Sequence, residues 1–239
     1  MGNLTSEVLR LYVGGFNPGT STTSMSATLA VGALDPTSFG DPAERVAADI
    51  RQDRLEWAGW FNDATGGIDK IMGTLIGTLG VVVSFVIGTA TGARSYNGTS
   101  LMTKAAPVGN VKELVKVEAE WRPDGALDVS KHFGEAQALT AGTASGSVDD
   151  AAASTAGVVF YTHVIGFVGT NTYRMVLEDS ADGASFADIA TADHTGTGGA
   201  RTVLAGAVRR YIRMTTSWAT TGGGTATGTA NFFGAYARG

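Results

Sequence analysis

Short stretches of apolar and β-branched residues, separated by Gly, Pro, Asn and Ser, recur along the whole chain. Such stretches are typical of β-strands joined by tight turns. In the first part of the chain the pattern predicts strands at 8–13, 27–31, 54–62, 81–87, 101–105 and 111–122. In the last part it predicts six more, at 158–168, 173–178, 186–190, 201–204, 209–217 and 227–236. We therefore expect a mainly β protein.

The predicted strand at 54–62 is apolar on both faces, and such strands are usually covered on both. Three bulky side chains lie on one face and two on the other: Leu55, Trp57 and Phe61, then Ala58 and Trp60. In the strand at 111–122, Val115, Val117, Ala119 and Trp121 alternate with charged residues and are expected to face inward. Four aromatic residues are therefore candidates for the core or for a subunit interface: Trp57, Trp60, Phe61 and Trp121.

Three local patterns predict the connections in the first part of the chain. The loop at 35–49 is rich in turn residues and fixed charges, with a helical turn at 43–50 as an option. The spacing of apolar residues predicts one short helix at 68–76. Asn97-Gly98 predicts a hairpin at 96–99, because both residues tolerate the positive φ angles of a type I′ turn.

Residues 139–156 are dominated by Thr, Ala, Gly and Ser, which predicts a flexible linker. This linker would separate a domain at 1–138 from a second domain at 157–239. The six strands of the second domain, at regular spacing, predict an antiparallel β-sandwich.

The segment from Ile71 to Ala90 has no charged residue and is long enough to cross a bilayer. However, it contains four glycines, and its pattern changes near Gly80 from helical spacing to a β-branched block. A helix followed by a buried strand fits better than a membrane span. The amino-terminal residues lack the basic and apolar regions of a signal peptide.

Composition favours assembly over chemistry. Apolar residues make up 44% of the chain and charged residues only 16%, against about a quarter in soluble proteins. Such a chain is expected to cover much of its surface with copies of itself. A formal net charge of −5 argues against tight binding of DNA, because that affinity depends on Lys and Arg.

No arrangement of residues predicts catalysis, a metal site or a cofactor. The chain has no cysteine and three histidines, none of them with a ligand-spaced neighbour. His163 lies in an apolar strand and is expected to be packed. Asp179-Ser-Ala-Asp-Gly lacks the alternating carboxylates of a calcium loop, and Arg209, Arg210 and Arg213 are expected to form a solvated strand face. We therefore expect no enzyme activity.

The order of elements in residues 1–138 resembles the major tail tube proteins of long-tailed bacteriophages, especially those of actinobacterial phages. The resemblance is carried by a charged loop with Phe39-Gly-Asp, a strand with Gly59-Trp-Phe-Asn-Asp, a helix, a buried strand and an alternating charged strand. It implies a tail-tube-type β-sandwich or barrel subunit with one flanking α-helix. Residues 157–239 are similar to sandwich domains appended to virion proteins and to carbohydrate-binding-like sandwiches.

The resemblance also implies a function. Tail tube proteins form hexameric rings that stack into a channel, through which DNA passes without specific binding, in a virion tail with tape measure, terminator and distal tail proteins as partners. The loop that reaches the adjacent ring would include Asp35, Phe39, Gly40, Asp41, Glu44, Arg45 and Asp49. Two alternatives stay open: a capsid or tail decoration protein whose second domain binds glycans, and a membrane protein.

Overall fold

The computed structural model describes residues 9–18, 22–34, 47–61, 73–109, 114–134, 137–139, 144–169, 171–219 and 228–239. Nearly all regular structure in these ranges is β, which confirms the predicted class. The predicted helix at 68–76 falls mostly outside them, and its described end, residues 73–75, is helical. The strands are β1 (Leu9–Val13), β2 (Thr22–Thr28), β3 (Val31–Leu34), β4 (Ala47–Arg51), β5 (Arg54–Trp60), β6 (Val81–Ile87), β7 (Arg94–Val108), β8 (Lys116–Pro123), β9 (Asp128–His132), β10 (Gln137–Leu139), β11 (Val148–Asp149), β12 (Val158–Val168), β13 (Thr172–Ser180), β14 (Ala187–His194), β15 (Gly198–Leu204), β16 (Tyr211–Ala219) and β17 (Thr229–Arg238).

Backbone contacts divide the chain into two compact units. The first unit contains Met1–Thr20, Val81–Asn97 and Asp128–Gly239, and the second contains Ser21–Gly80 and Gly98–Leu127. The predicted ranges 1–138 and 157–239 do not coincide with these units, because β1, β6 and β9 belong with the carboxy-terminal strands.

Two antiparallel sheets form the sandwich of the first unit. One sheet has the strand order β15-β12-β17-β9, and the other has the order β11-β16-β13-β14. Apolar side chains from the facing sides of both sheets meet in one core cluster. Its largest fully buried members include Phe160 of β12, Tyr236 of β17 and Tyr173 of β13. The predicted sandwich is therefore present, but it is not built from residues 157–239 alone.

The opposite face of β12 and β17 is also buried. Tyr161 and Phe233 form a second cluster with Tyr12 of β1 and with Val82 and Val86 of β6. The rings of Tyr12 and Phe233 stack with centroids 4.3 Å apart. A strand covered on both faces needs apolar residues at consecutive positions, which explains the consecutive apolar residues of β12 at 158–161 and 164–165.

The predicted flexible linker is wrong for its described part, residues 144–156. Ala144 bridges to Thr215, β11 pairs with β16, and Ser154 bridges to Val208. Val148 is buried in the sandwich core. Small residues gave this segment the composition of a linker, but its backbone hydrogen bonds and a single apolar anchor attach it to the sheet edge.

The predicted hairpin at 96–99 is also wrong, because β7 continues through Asn97 and Gly98 as one strand of 15 residues. Asn97 is fully buried, and its side-chain amide donates a hydrogen bond to Ser95 Oγ at 3.0 Å. A Cβ atom on Gly98 would lie 3.3 Å from Leu127 Cδ2. Close packing explains this glycine, and no turn is required.

The second unit contains an antiparallel sheet with the order β7-β8-β5-β2. One face of this sheet is buried, with Trp57 and Leu55 of β5 against Trp121 and Val117 of β8. β3 and β4 form a separate two-stranded ribbon. The optional helical turn at 43–50 is wrong for residues 47–50, which lie in β4.

None of the helical residues that the structure describes belongs to a helix with the length and apolar character needed to cross a membrane. The apolar block at 81–87 is β6, as the change of pattern near Gly80 predicts. It pairs with β1 in the register Leu9 to Ile87.

His163 is a packed core residue, as its position in an apolar strand predicts. Its Nδ1 donates to the carbonyl oxygen of Gly14 at 2.7 Å, and its Nε2 accepts a hydrogen bond from Ser84 Oγ at 2.8 Å. Burial lowers the pKa of His163 to about 4, because the charged imidazolium would be desolvated. His194, whose Nε2 lies 2.9 Å from Thr162 Oγ1, also has a pKa lowered by burial.

We predict that Gly157→Ala destabilises the protein strongly. Gly157 has φ of +91°, and a Cβ atom there would collide with the carbonyl oxygen of Leu204 and lie 3.2 Å from Ala205 Cα. Strain and overpacking together should lower the free energy of unfolding by about 3 kcal/mol in urea denaturation. Gly196→Ala is the matched control, since its Cβ would have no neighbour within 4 Å. Equal effects of the two substitutions would contradict this assignment.

We also predict an acid-sensitive core. The pKa of His163 is about 4 in the folded protein and about 6.5 when unfolded, so the unfolded chain binds the proton first as the pH falls. This histidine should remove about 2 kcal/mol of stability between pH 7 and pH 5. His163→Gln and His163→Asn should reduce the pH dependence of the urea midpoint. In the wild type, the imidazole NMR signals of His163 should not titrate above pH 5; titration near pH 6.5 would disprove the assignment.

Candidate assembly surface

The exposed face of the sheet in the second unit is charged but internally neutralised. Three carboxylates, those of Glu56, Glu118 and Glu120, extend from β5 and β8. Each pairs with one cation: Arg54 at 3.4 Å, Lys104 at 2.8 Å and Arg122 at 3.0 Å, respectively. The alternation along β8 places these charges opposite the buried Val117, Ala119 and Trp121, as predicted. The same prediction is wrong for Val115, which lies before β8 and is 40% exposed.

Lys104 shows how the pairing acts on this face. The hydrogen bond and charge of Glu118 raise the pKa of Lys104 above its usual value. The remaining cation, Lys116, lies with its Nζ 5.2 Å from the centre of the Trp60 ring. Each of these cations therefore already has a partner within the sheet.

One end of the same sheet is apolar and exposed. The adjacent strand ends bring together five large side chains, which we call the apolar rim: Trp60, Phe61, Val108, Leu114 and Val115. The backbone N–H of Phe61 donates to the carbonyl oxygen of Val115 at 2.8 Å, which holds two of these residues side by side. Trp60 is 39% exposed and Leu114 is 74% exposed. Exposed apolar side chains grouped at one end of a sheet favour contact with another surface.

β2 is an edge strand, because within the described residues it pairs only with β5. Its first residue, Thr22, lies opposite Gly59, next to the apolar rim. Beyond its other end, Leu29 and Val31 are exposed apolar residues. An open edge offers unpaired N–H and C=O groups to another chain.

The predicted loop at 35–49 begins directly after β3, and its last residues, 47–49, belong to β4. Val31 on β3 is 54% exposed and Ile50 on β4 is 78% exposed. A two-stranded ribbon by itself is only marginally stable in water, so these exposed residues favour docking of the ribbon against another surface.

Asp53 fixes the base of this ribbon. Its buried carboxylate accepts hydrogen bonds from the backbone N–H of Ala30 at 3.1 Å and of Leu127 at 2.7 Å. It also pairs with the guanidinium of Arg51 at 2.6 Å. Three chain segments therefore meet at one carboxylate. The only sign of this role in the sequence is the position of Asp53 between two arginines, Arg51 and Arg54.

The structure separates the four aromatic candidates into two pairs. Trp57 and Trp121 are buried, and Trp57 Nε1 donates to Thr22 Oγ1 at 2.9 Å. Trp60 and Phe61 are exposed in the apolar rim. Of the candidates for contact with an adjacent ring, the backbone of Asp49 lies in β4. The other six lie outside the described residues: Asp35, Phe39, Gly40, Asp41, Glu44 and Arg45.

The basic residues near β16 are engaged with carboxylates. Arg210 forms a bidentate pair with Asp149 at 2.6 and 2.7 Å, and Arg213 pairs with Glu178 at 2.5 Å. Arg209 lies 3.7 Å from Asp179. This group therefore has little charge left for an anionic partner.

The Asp179-Ser-Ala-Asp-Gly segment is a turn. Asp182 accepts backbone hydrogen bonds from Ala184 and Ser185, both at 2.9 Å. These bonds lower the pKa of Asp182 to about 2. Among the residues that the structure describes, no group of three or more His, Cys, Asp or Glu could hold a metal ion.

Comparison with known proteins gave low similarities. No family model and no curated protein sequence matches the chain. Among solved structures, it is similar to a chain in the virion of a native gene transfer agent particle, with 18% identity, a TM-score of 0.36, and coverage of 46% of this chain and 84% of that one. A chain in the tail of an empty gene transfer agent particle, refined with C6 symmetry, has 15% identity and a TM-score of 0.40. This similarity covers 54% of this chain and 98% of that chain.

The Dit protein of SPP1, described as a hub adsorption apparatus of phages that infect Gram-positive bacteria, gives 14% identity and a TM-score of 0.38. That similarity covers 96% of this chain and 99% of the Dit chain. Identities and TM-scores in this range do not establish a shared function. Two of these chains come from gene transfer agent particles and one from a phage. The mainly β class of this chain rests on its own strands.

Proposed function

We propose that this chain is a structural subunit of a bacteriophage tail, located in the virion and without enzyme activity. Copies of it would form hexameric rings that stack into a tube and conduct DNA during ejection. Other tail proteins would contact the ends of the tube. The sequence resemblance of residues 1–138 suggests this function, and the surfaces of the second unit support it.

One observation carries the proposal: among the described residues, β2 is an open edge with exposed apolar side chains beyond both of its ends. Trp60 and Phe61 lie beside its start, and Leu29 and Val31 follow its end. Burying one such side chain contributes about 1.5–3 kcal/mol. Repetition around an axis would pair the edge strand and cover these residues without requiring a different partner.

In the proposed ring, the charged face of the β7-β8-β5-β2 sheet lines the channel. Three cations of this face are already in ion pairs: Arg54 with Glu56, Lys104 with Glu118 and Arg122 with Glu120. DNA affinity comes largely from cations that neutralise phosphates and release counterions. Cations that are already paired offer little attraction, so DNA could pass without being retained.

We predict that the purified wild-type protein forms annular particles or tubes in negative-stain electron micrographs and sediments as more than a monomer. Trp60→Glu and Ile50→Glu should each abolish these species, because a charge would have to be buried at the contact. Val168→Glu is the matched control, since Val168 is an exposed valine of the first unit.

Circular dichroism should show that all three variants keep the wild-type fold, because each replaced residue is exposed. A wild-type protein that stays monomeric at every concentration would refute the proposal. If that monomer bound only to purified virions, the chain would be a decoration protein instead.

A further inference from the structure

A cleft of about 430 Å³ lies in the first unit, beside β7, β9 and β17. Three cationic side chains line it: Arg94, Lys131 and Arg238. Asp150 is the only carboxylate among its described lining residues. The lining therefore has a formal charge of +2, although the whole chain is acidic.

Asp150 cannot neutralise the remaining charge, because both of its oxygens are occupied. Lys131 Nζ lies 2.6 Å from Oδ1, and Arg238 Nε lies 2.6 Å from Oδ2. The hydroxyl of Tyr236 donates to the same carboxylate at 3.0 to 3.1 Å. These contacts hold the Asp150 carboxylate in place, so it is not available to neutralise a further cation.

Arg238 is also committed to the fold. Its Nη1 donates to the carbonyl oxygen of Ala152 at 2.8 Å, and its Nη2 donates to the carbonyl oxygens of Arg209 and Arg210. It supplies positive charge to the cleft but has few donors left for a ligand.

Arg94 is different, because the described part of the chain provides no carboxylate for its exposed guanidinium. It lies directly opposite Lys131 in the antiparallel pair of β7 and β9. Like charges at directly opposite positions destabilise a sheet. An anion between them would remove this repulsion, and Lys131 Nζ has three donors, of which Asp150 takes one.

We infer that this cleft binds a small anion, the size of one sugar unit, that carries a phosphate or a carboxylate. The Arg94 guanidinium would hold the anionic group by a bidentate contact, with Lys131 as the second cation. The volume lies within the range of small-ligand sites. Val129, which is 53% exposed in the lining, offers apolar contact to the ligand's uncharged part.

Isothermal titration calorimetry on the intact protein, at low salt, tests the inference with glucose 6-phosphate, glucuronate and glucose. At least one charged sugar should bind saturably, and about tenfold or more tightly than glucose. The ratio of the two charged sugars identifies phosphate or carboxylate as the preferred group.

Arg94→Gln should weaken this binding about tenfold or more, because a charge-assisted hydrogen bond is lost. Arg174→Gln is the control, since Arg174 is an exposed cation of the same unit that pairs with Asp193, and it should leave the affinity unchanged. Neither substitution removes a core contact, so circular dichroism should show the wild-type fold for both variants. No saturable binding, equal binding of glucose, or unchanged affinity in Arg94→Gln would each overturn the inference.

Discussion

The pairing of β12 with β17 is the constraint on which the first unit depends. The two strands are antiparallel neighbours from Val158 opposite Arg238 to Val168 opposite Thr229. Both faces of this pair are apolar, so each needs a cover. β13 and β16 cover one face, and β1 and β6 cover the other. Segments nearly the whole length of the chain apart are therefore tied into one core.

The two units solve the problem of apolar surface differently. The first unit buries both faces of its central strands within the chain, down to His163, which has no exposed surface. Among its described residues, the second unit leaves the edge strand β2, the apolar rim and the β3–β4 ribbon exposed. In a chain with only 16% charged residues, such surface favours association, and this is why the proposed assembly rests on the second unit.

Much of the fold could be predicted because strand patterns depend on local alternation. β6 has the predicted bounds, and the buried positions of β8 follow its alternation of apolar and charged residues. Two predictions failed for a shared physical reason. Gly98 and the segment at 144–156 have local signatures of a turn and of a linker, whereas packing against Leu127 and hydrogen bonds to β16 decide their structure.

The candidate sites were less accessible from sequence. Trp57 and Trp60 are the same type of residue in the same strand. Trp57 is buried and Trp60 is exposed only because they lie on opposite faces of β5. Asp53 and the cleft at Arg94 depend on residues that are distant in the chain. Arg94 and Lys131 become neighbours only because β7 and β9 pair, and no spacing in the sequence indicates this.

The late position of β17 in the chain has a consequence for synthesis. β1 and β6 emerge from the ribosome early, but the strand that completes their partner layer spans Thr229–Arg238. At translation rates of about 5–20 residues per second, the apolar side of β6 waits on the order of ten seconds for its cover. A nascent chain is thus open to trapping by chaperones or by other nascent chains during that interval, and the core can close only after residues 229–238 have been translated.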